Sequence, residues 1–395
     1  MKLLFSVPTG YHLRELVLPL RDLLTKEAAI SQVIIVTPAA PYKAQLFPNW
    51  DSKFIFVHNP ADMAGHEALM SQYKPDVVVT DTVGHDEKDF PILVAATKAG
   101  LKTLTFIASW DNVWKIERLL KTPGRVALAG HFTVWNQMMK DHLLQIFPDI
   151  NPGRVNIIGS PRLDYYAPRY QANVPSKAAL FQTLGLSDPS RPLVHFSTTE
   201  LYPMDYLVKT VRQAMDSGKL PKNLALVATV HPGGNLQKHK TLEQYGALVR
   251  FAFGRQEQAP LPSFTYNPSV TDMYNAIALY KHTSILINHS STTALESLLA
   301  DVPVINIKYG QPLDWWKWYR SMVYRDFQQH YRDVTSDGAT SVVGSQRQLV
   351  SEMDKYLKNP ALRQPERAIT IKKMITTIDG TAGLKVFTLI QKLAT

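Results

Sequence analysis

Ser284-Ile-Leu-Ile-Asn288-His289-Ser290-Ser291-Thr292-Thr293-Ala294-Leu295-Glu296 runs from an apolar stretch, through consecutive hydroxyl residues, into a helical pattern. Asp301-Val302-Pro303-Val304-Ile305 follows. The order reads strand, turn, helix, strand. An apolar run of this kind suits a strand buried on both faces, as in a parallel sheet. Ser and Thr at a helix start cap backbone N–H groups. The same N–H groups, with the positive end of the helix dipole, bind phosphate. A plain N-cap needs one hydroxyl, and Ser290, Ser291, Thr292 and Thr293 supply more than that. Glu296, one turn into the helix, either accepts ribose hydroxyls or stabilises the helix dipole.

Working outward, Leu224–Val230 is a second apolar strand, ending in His231-Pro232-Gly233-Gly234. An imidazole N–H at a strand end can donate to a phosphate oxygen and stabilise leaving-group charge. Pro232 stops the strand, and the glycines allow close backbone approach. Further upstream lies Gly159-Ser160-Pro161-Arg162-Leu163-Asp164. There Arg162 either faces an anionic ligand near a hinge or pairs with Asp164 to fix that hinge.

The same alternation covers the chain. Strands are expected at Lys2–Val7, Gln32–Val36, Lys53–Val57, Asp76–Thr80, Lys102–Ile107, His131–Trp135 and Arg154–Ile158. Helices are expected at Leu13–Thr25, Met63–Gln72, Phe90–Ala99 and Gln137–Ile146. Tyr166–Arg191, with Pro168, Pro175 and Pro189, reads as a linker or short helix. Strands at Leu193–Phe196, Leu224–Val230, Ser284–Ile287 and Val302–Ile307 then resume, with helices at Met204–Met215 and Ser291–Ala300. Strand-helix alternation implies parallel sheets covered on both faces. Two such halves make a two-domain α/β protein with a cleft, and ligands of open α/β sheets bind beyond the strands' carboxyl ends. No internal repeat is visible.

Three turns at strand ends in the first half can supply a base for an acceptor hydroxyl. They are Pro8-Thr9-Gly10-Tyr11-His12, Asp81-Thr82-Val83-Gly84-His85-Asp86 and Ser109-Trp110-Asp111-Asn112. The choice among His12, Asp81, Asp86 and Asp111 stays open, because Asp, Asn and Gly also favour turns.

Composition narrows the classes. The chain has 395 residues, 45% hydrophobic and 19% charged, which is globular chemistry. It has no Cys, hence no disulfide, thiolate metal site or cysteine nucleophile. Its net charge of +10 favours anionic partners. The excess is dispersed, which speaks against a nucleic-acid tail. Neither G-x-G-x-x-G after a strand nor a P-loop occurs, and H-E-x-x-H, G-x-S-x-G and Asp-x-Asp are absent too. The last absence points to a metal-independent reaction. The N-terminal apolar run is shorter than the roughly 7–15 residues of a signal core. Phe90–Ala108 is interrupted by Lys98, Gly100 and Lys102, so no span of about 20 apolar residues is present. A cytoplasmic protein is expected.

Trp315-Trp316-Lys317-Trp318-Tyr319-Arg320-Ser321-Met322-Val323-Tyr324-Arg325 holds three of the chain's 7 Trp. Its spacing is roughly helical. It reads as an interfacial helix at the inner face of an anionic membrane, as aromatic platforms for a sugar, or as a helix packed between domains.

Together these pieces resemble a known group. His231-Pro232 followed by Ser290-Ser291-Thr292 is similar to the paired His-Pro and Ser-Ser/Thr motifs of cytidine-nucleotide-using transferases of the GT-B fold, which has two Rossmann-like domains. These include bacterial sialyltransferases, CMP-Kdo transferases and CDP-glycerol glycerophosphotransferases. The run from Asn288 to Ile305 resembles the CDP-glycerol transferase-like proteins of surface-polysaccharide synthesis most closely. Ser109–Asn112, Gly159–Asp164 and Asp379-Gly380-Thr-Ala also look like elements of that set. The resemblance implies an N-terminal acceptor domain (1–165), a linker (166–190), a C-terminal donor domain (191–360) and a closing helical segment (361–395) that packs back across the domains. It implies that His231 contacts the donor phosphate; Pro232 and Gly233 in the same turn, and Arg162 near the hinge, are further candidates for donor binding. Ser290, Ser291, Thr292 and Thr293 would hold phosphate or ribose, and Glu296 ribose or base.

The implied function is a metal-independent glycosyltransferase. It would use no cofactor beyond a CMP- or CDP-type sugar donor, and its acceptor would be a hydroxyl of a glycan or lipid-linked molecule. The Asp-Asp/Glu-Gly element that supplies the base in several sialyltransferase families is missing, which leaves the base open. Three alternatives remain: a CDP-glycerol-type polyol-phosphate transferase, a UDP-sugar 2-epimerase-like enzyme, and a non-catalytic nucleotide- or glycan-binding protein. The epimerases' Ser-Gly-Gly phosphate turn is Ser-Ser-Thr here.

Overall fold

Val77-Val78-Val79-Thr80-Asp81 is buried along its whole length, as are Leu193–Ser197 and Ala225–Val230. β-branched and other apolar side chains on both faces of a strand need cover on both faces, and parallel sheets flanked by helices provide it. The computed structural model describes residues 1–81, 89–119, 129–311, 315–376 and 378–395. Asp86 and the side chain of Trp315 lie outside the described residues.

Among the described residues, the first sheet has strands β1 (Lys2–Ser6), β2 (Gln32–Val36), β3 (Phe54–Val57), β4 (Val77–Asp81), β5 (Lys102–Phe106), β6 (His131–Val134) and β7 (Val155–Ile157). Their order is β3-β2-β1-β4-β5-β6-β7, all parallel. The second sheet has β8 (Leu193–Ser197), β9 (Ala225–Val230), β10 (Ala247–Phe251), β11 (Thr283–Asn288), β12 (Val304–Ile307) and β13 (Ser341–Val343). Its order is β10-β9-β8-β11-β12-β13, again parallel. In register, Phe5 lies opposite Ile35 and Val79, and Leu286 lies opposite Val304 and His195. The architecture is the two-sheet α/β arrangement of a GT-B fold.

Two compact units result. Met1–Arg169, Gln256–Ser269 and Ile375–Thr395 form one, and Tyr170–Arg255 with Val270–Met374 forms the other. The expected linker carries the helix Lys177–Leu184, whose Leu180, Phe181 and Leu184 sit in the second unit's core with Leu193, Val227 and Ala278. The closing segment divides: Gln364–Met374 belongs to the second unit and Ala382–Ala394 to the first.

Side-chain chemistry explains why Gln256–Ser269 returns to the first unit. Phe264 is buried in that unit's core. Asn267 donates to the carbonyl of Leu46 (2.9 Å), and Arg14 donates to the hydroxyl of Tyr266 (2.9 Å). Gly10 lets the backbones touch: a Cβ there would lie 1.6 Å from the Tyr266 carbonyl oxygen. The helix expected over Leu13–Thr25 starts earlier, at Gly10, and is broken by a π turn at Leu13–Val17 and a tighter 3-10 turn at Leu18–Leu20. Pro19 within that tighter turn cannot donate a backbone hydrogen bond.

Asp164 ties the C-terminal helix down. Its carboxylate accepts the N–H groups of Ala382 (3.1 Å) and Gly383 (2.7 Å). Ala382, Val386, Phe387 and Ile390 then bury against Leu20 and Leu24 in the core. Burial pushes the Asp164 carboxyl up to about 6, against the lowering effect of those two N–H groups. A raised folded pKa means the folded state holds its proton longer. The stability linked to this group is therefore complete below about pH 4 and is lost as pH rises through 6. Asp164→Asn keeps an acceptor without the charge. Urea unfolding of both proteins from pH 4 to pH 7 should show their stability difference moving in the variant's favour by about 2–3 kcal/mol. A pH-independent difference would contradict this account.

Candidate functional site

In the second sheet the chain starts at β8 and steps outward through β9 to β10, then returns to β11 and steps the other way through β12 to β13. β8 and β11 therefore mark the reversal in strand order, the place where ligands of open α/β sheets bind. The hydroxyl turn sits at that point. Thr293 Oγ1 donates to Ser197 Oγ at the end of β8 (3.1 Å) and accepts from Asn288 Nδ2 (3.3 Å). Ser290 Oγ donates to the Asp326 carboxylate (3.0 Å). Ser291 Oγ accepts the Thr293 N–H (3.3 Å) and so does the capping. Thr292 makes no side-chain cap bond to the helix Thr293–Leu299 that follows. Ser290 through Thr293 and Glu296 are all half-buried, with Glu296 in the first turn.

A buried polar frame supports this turn. Asn306, in β12, donates to Asn288 Oδ1, to the His289 carbonyl (3.0 Å) and to the Tyr331 hydroxyl (2.8 Å). His289 itself is buried in an aromatic box. Its ring lies 5.6 Å from Tyr202 and 5.8 Å from Trp318, and its Nε2 meets the Tyr206 hydroxyl at 3.3 Å. In β8, His195 pairs with Thr229 Oγ1 (2.8 Å).

His231 is exposed in the turn after β9, next to β8. Its Nδ1 accepts the Gly233 N–H (3.1 Å), so a neutral ring carries its proton on Nε2. Pro232 and Gly233 shape the turn, and Gly234 N–H closes it on the His231 carbonyl (2.7 Å). Glu200, in the loop after β8, holds the chain beyond. It accepts the Asn235 N–H (3.0 Å) and bonds His239 Nε2 (2.9 Å). Ser197, Glu200 and Asp326 escaped the sequence reading. Ser197-Thr198-Thr199-Glu200 does follow an apolar strand, the signal that flagged the other turns.

In the first unit the corresponding reversal lies at β1 and β4. His12 is buried there with both ring nitrogens engaged: Nδ1 with Thr9 Oγ1 (2.8 Å) and Nε2 with the Asp89 carboxylate (3.3 Å). Asp89 also accepts from Ser6 Oγ and from the backbone N–H of Asp81 (3.1 Å), the last residue of β4. His12 and Asp81 are thus joined through Asp89, which the sequence reading did not single out. Asp111, after β5, accepts from Ser109 Oγ (2.5 Å). Arg162 is a buried member of this unit, 2.8 Å from the Glu15 carboxylate and 5.8 Å from the Trp135 ring. Its pairing partner is Glu15, and Asp164 instead caps the C-terminal helix.

The aromatic run forms two short helices, Trp315–Tyr319 and Met322–Gln328, not one. Ser321 separates them, donating to the Trp318 carbonyl (2.7 Å) and accepting the Tyr324 N–H (3.1 Å). Trp318 is core, with Tyr202 at 5.3 Å. Among the described residues no group of three or more His, Asp or Glu is arranged to hold a metal ion.

No family profile matches the chain, and no curated protein matches it. Solved structures do. A UDP-GlcNAc 2-epimerase from Neisseria meningitidis, bound to UDP-GlcNAc, aligns over 99% of this chain and 100% of its own, with TM-score 0.64 and 13% identity. A glycosyltransferase from Rickettsia africae aligns over 100% and 98%, with TM-score 0.56 and 13% identity. The wall teichoic acid polymerase TagF, soaked with CDPG, aligns over 100% and 88%, with TM-score 0.58 and 13% identity. At these identities the likeness is one of fold. It places the chain among GT-B-like α/β structures.

Burial drives the pKa of both His195 and His289 down to about 3. The unfolded chain then takes up protons the folded one refuses, so stability falls as pH drops below about 6.5. Each histidine steepens that fall by up to ~1.4 kcal/mol per pH unit. Unfolding of His289→Gln across pH 5 to 7 should show a shallower slope than the parent protein. An unchanged slope would mean His289 is already solvated.

Proposed function

We propose that this chain is a nucleotide-sugar enzyme of the GT-B type, and within it a metal-independent transferase. The observation that carries the reading is the hydroxyl turn at the β8/β11 reversal, bonded through Thr293 to Ser197 with His231 on the neighbouring strand. A diphosphate is the ligand that suits hydroxyl donors, helix N–H groups and an imidazole Nε2–H together. Ser290, Ser291, Thr292 and Thr293 would take the phosphates, Glu296 the ribose, and His231 the charge that develops on the leaving group. Pro232 and Gly233 would hold that turn in place.

The acid–base side belongs to His12. With Asp89 accepting Nε2–H, Nδ1 is the basic nitrogen, and it faces the Thr9 hydroxyl. An acceptor hydroxyl in the place of Thr9 would give its proton to Nδ1 while its oxygen attacks the donor carbon and the nucleotide leaves. Asp81 and Asp111 are the competing bases. CMP- or CDP-linked donors and a glycan or lipid-linked acceptor follow from the motif resemblance of His231-Pro232 and Ser290–Thr292. Work on a lipid-linked acceptor at an anionic membrane surface is part of the same reading. Arg162, held by Glu15, would act by shaping the first unit.

A second reading has its own support. The fold neighbours include an enzyme named UDP-GlcNAc 2-epimerase. An epimerase needs no acceptor and interconverts its nucleotide sugar alone. The two separate cleanly when CMP-, CDP- and UDP-linked donors are each incubated with and without glycan or lipid acceptors. Nucleotide release that depends on an acceptor supports transfer. A UDP-sugar converted without one supports epimerisation.

His231→Ala should lower turnover roughly 10²-fold or more, since the phosphate charge that develops on the leaving group loses a donor. Asp89→Asn should cost about 10²-fold and displace the acid limb of the pH–rate profile, because His12 loses its orienting carboxylate. Near-parental rates in His231→Ala would remove that residue from the leaving-group role.

A further inference from the structure

Trp316, Tyr319 and Met322 are 46%, 56% and 37% exposed. They fall within seven residues, beside a buried neighbour, Trp318, that anchors the segment in the aromatic box. Lys317 and Arg320 lie over the Trp316 ring, 5.4 and 5.9 Å from its centre. Arg325 is exposed as well, and no acidic residue occurs from Trp315 to Arg325. Large apolar groups left in water are costly unless something covers them.

We propose that this surface of the second unit docks on an anionic lipid bilayer. The occupant follows from charge and side-chain type. Trp and Tyr favour the headgroup level, where one end of the ring is apolar and the other wet. The interleaved Lys and Arg match anionic headgroups, and the chain's net charge of +10 has the same sign. A bilayer also accounts for the exposed placement on two short helices, since it asks for no pocket. The segment lies in on the surface and does not cross: among the described residues no helix is long and apolar enough to span a membrane. The proposal gives the lipid-linked acceptor reading a place of contact. Its test needs neither donor nor acceptor, so it can fail while the nucleotide reading stands.

The experiment is vesicle co-flotation of the full chain. It uses phosphatidylcholine vesicles with and without roughly 30% phosphatidylglycerol, at low and high salt. The parent protein should float with anionic vesicles at low salt and stay behind with neutral ones. Lys317→Gln/Arg320→Gln should weaken partitioning roughly 10- to 30-fold, and Trp316→Ala/Tyr319→Ala should lose at least as much. Trp316 emission should shift to the blue on binding. Melting temperatures of all variants, matched to the parent, show that the fold is kept.

Failure of the parent protein to float at low salt overturns the proposal, and so does equal flotation of both double variants. Two further outcomes overturn it in favour of another occupant. One is a concentration-dependent dimer, broken by Trp316→Ala/Tyr319→Ala, with no vesicle binding. The other is loss of soluble-glycan binding in that variant, again with no vesicle binding.

Discussion

The adjacency of β8 and β11 is the constraint on which the rest of the second unit depends. Two parallel strands that the chain reaches some ninety residues apart lie side by side, with Leu286 against His195 and Ile287 against Phe196. Beyond a register shift between Thr283 and Ile285, Ile285–Ile287 and Val194–Phe196 are buried, so the pairing there cannot slip without moving apolar groups to the wrong neighbours. That register brings the ends of both strands level. Thr293 then reaches Ser197, and the hydroxyl turn is fixed to the loop that carries Glu200. Glu200 in turn holds the chain beyond His231 through Asn235 and His239. The hydroxyl turn and His231 are placed by backbone topology first and by side-chain bonds second.

The first sheet repeats this logic without repeating the sequence. Its first six strands take the same order, counted from their own first strand. Its reversal point also gathers polar groups, but the chemistry differs. Hydroxyls dominate at β8/β11, whereas a carboxylate and an imidazole dominate at β1/β4. Beneath the hydroxyl turn, the buried Asn306 amide bonds to Asn288 Oδ1, the His289 carbonyl and the Tyr331 hydroxyl. Buried polar groups are expensive unless paired, so this frame holds the turn in one arrangement.

Most of the sheet architecture was legible because buried parallel strands write themselves as apolar runs. Gln32–Val36 and Gln137–Ile146 were read to the residue. The edge strands Ala247–Phe251 and Ser341–Val343 were not, being short and only partly buried. The return of Gln256–Ser269 to the first unit was invisible, since it rests on Gly10 meeting Tyr266 far along the chain. Asp89 shows why site residues are harder. In the sequence it stands before Phe90-Pro91 as an ordinary helix cap. In the fold it makes no cap bond and instead collects Ser6, Asp81 and His12. Arg162 is the converse: its position at the end of the first half suggested an anion site, and its guanidinium pairs with Glu15. Trp318 was grouped with its exposed neighbours by spacing alone, and its burial separates it from them.

The central claim is that a nucleotide diphosphate binds the hydroxyl turn of the second unit. Calorimetric titration of CDP, CMP, UDP and GDP into the parent protein and into Thr293→Val tests it most directly. The account predicts saturable binding of a cytidine nucleotide, weakened about tenfold or more when Thr293→Val removes the bond that fixes the turn to Ser197. Binding of none of the four, or binding that Thr293→Val leaves untouched, would contradict it.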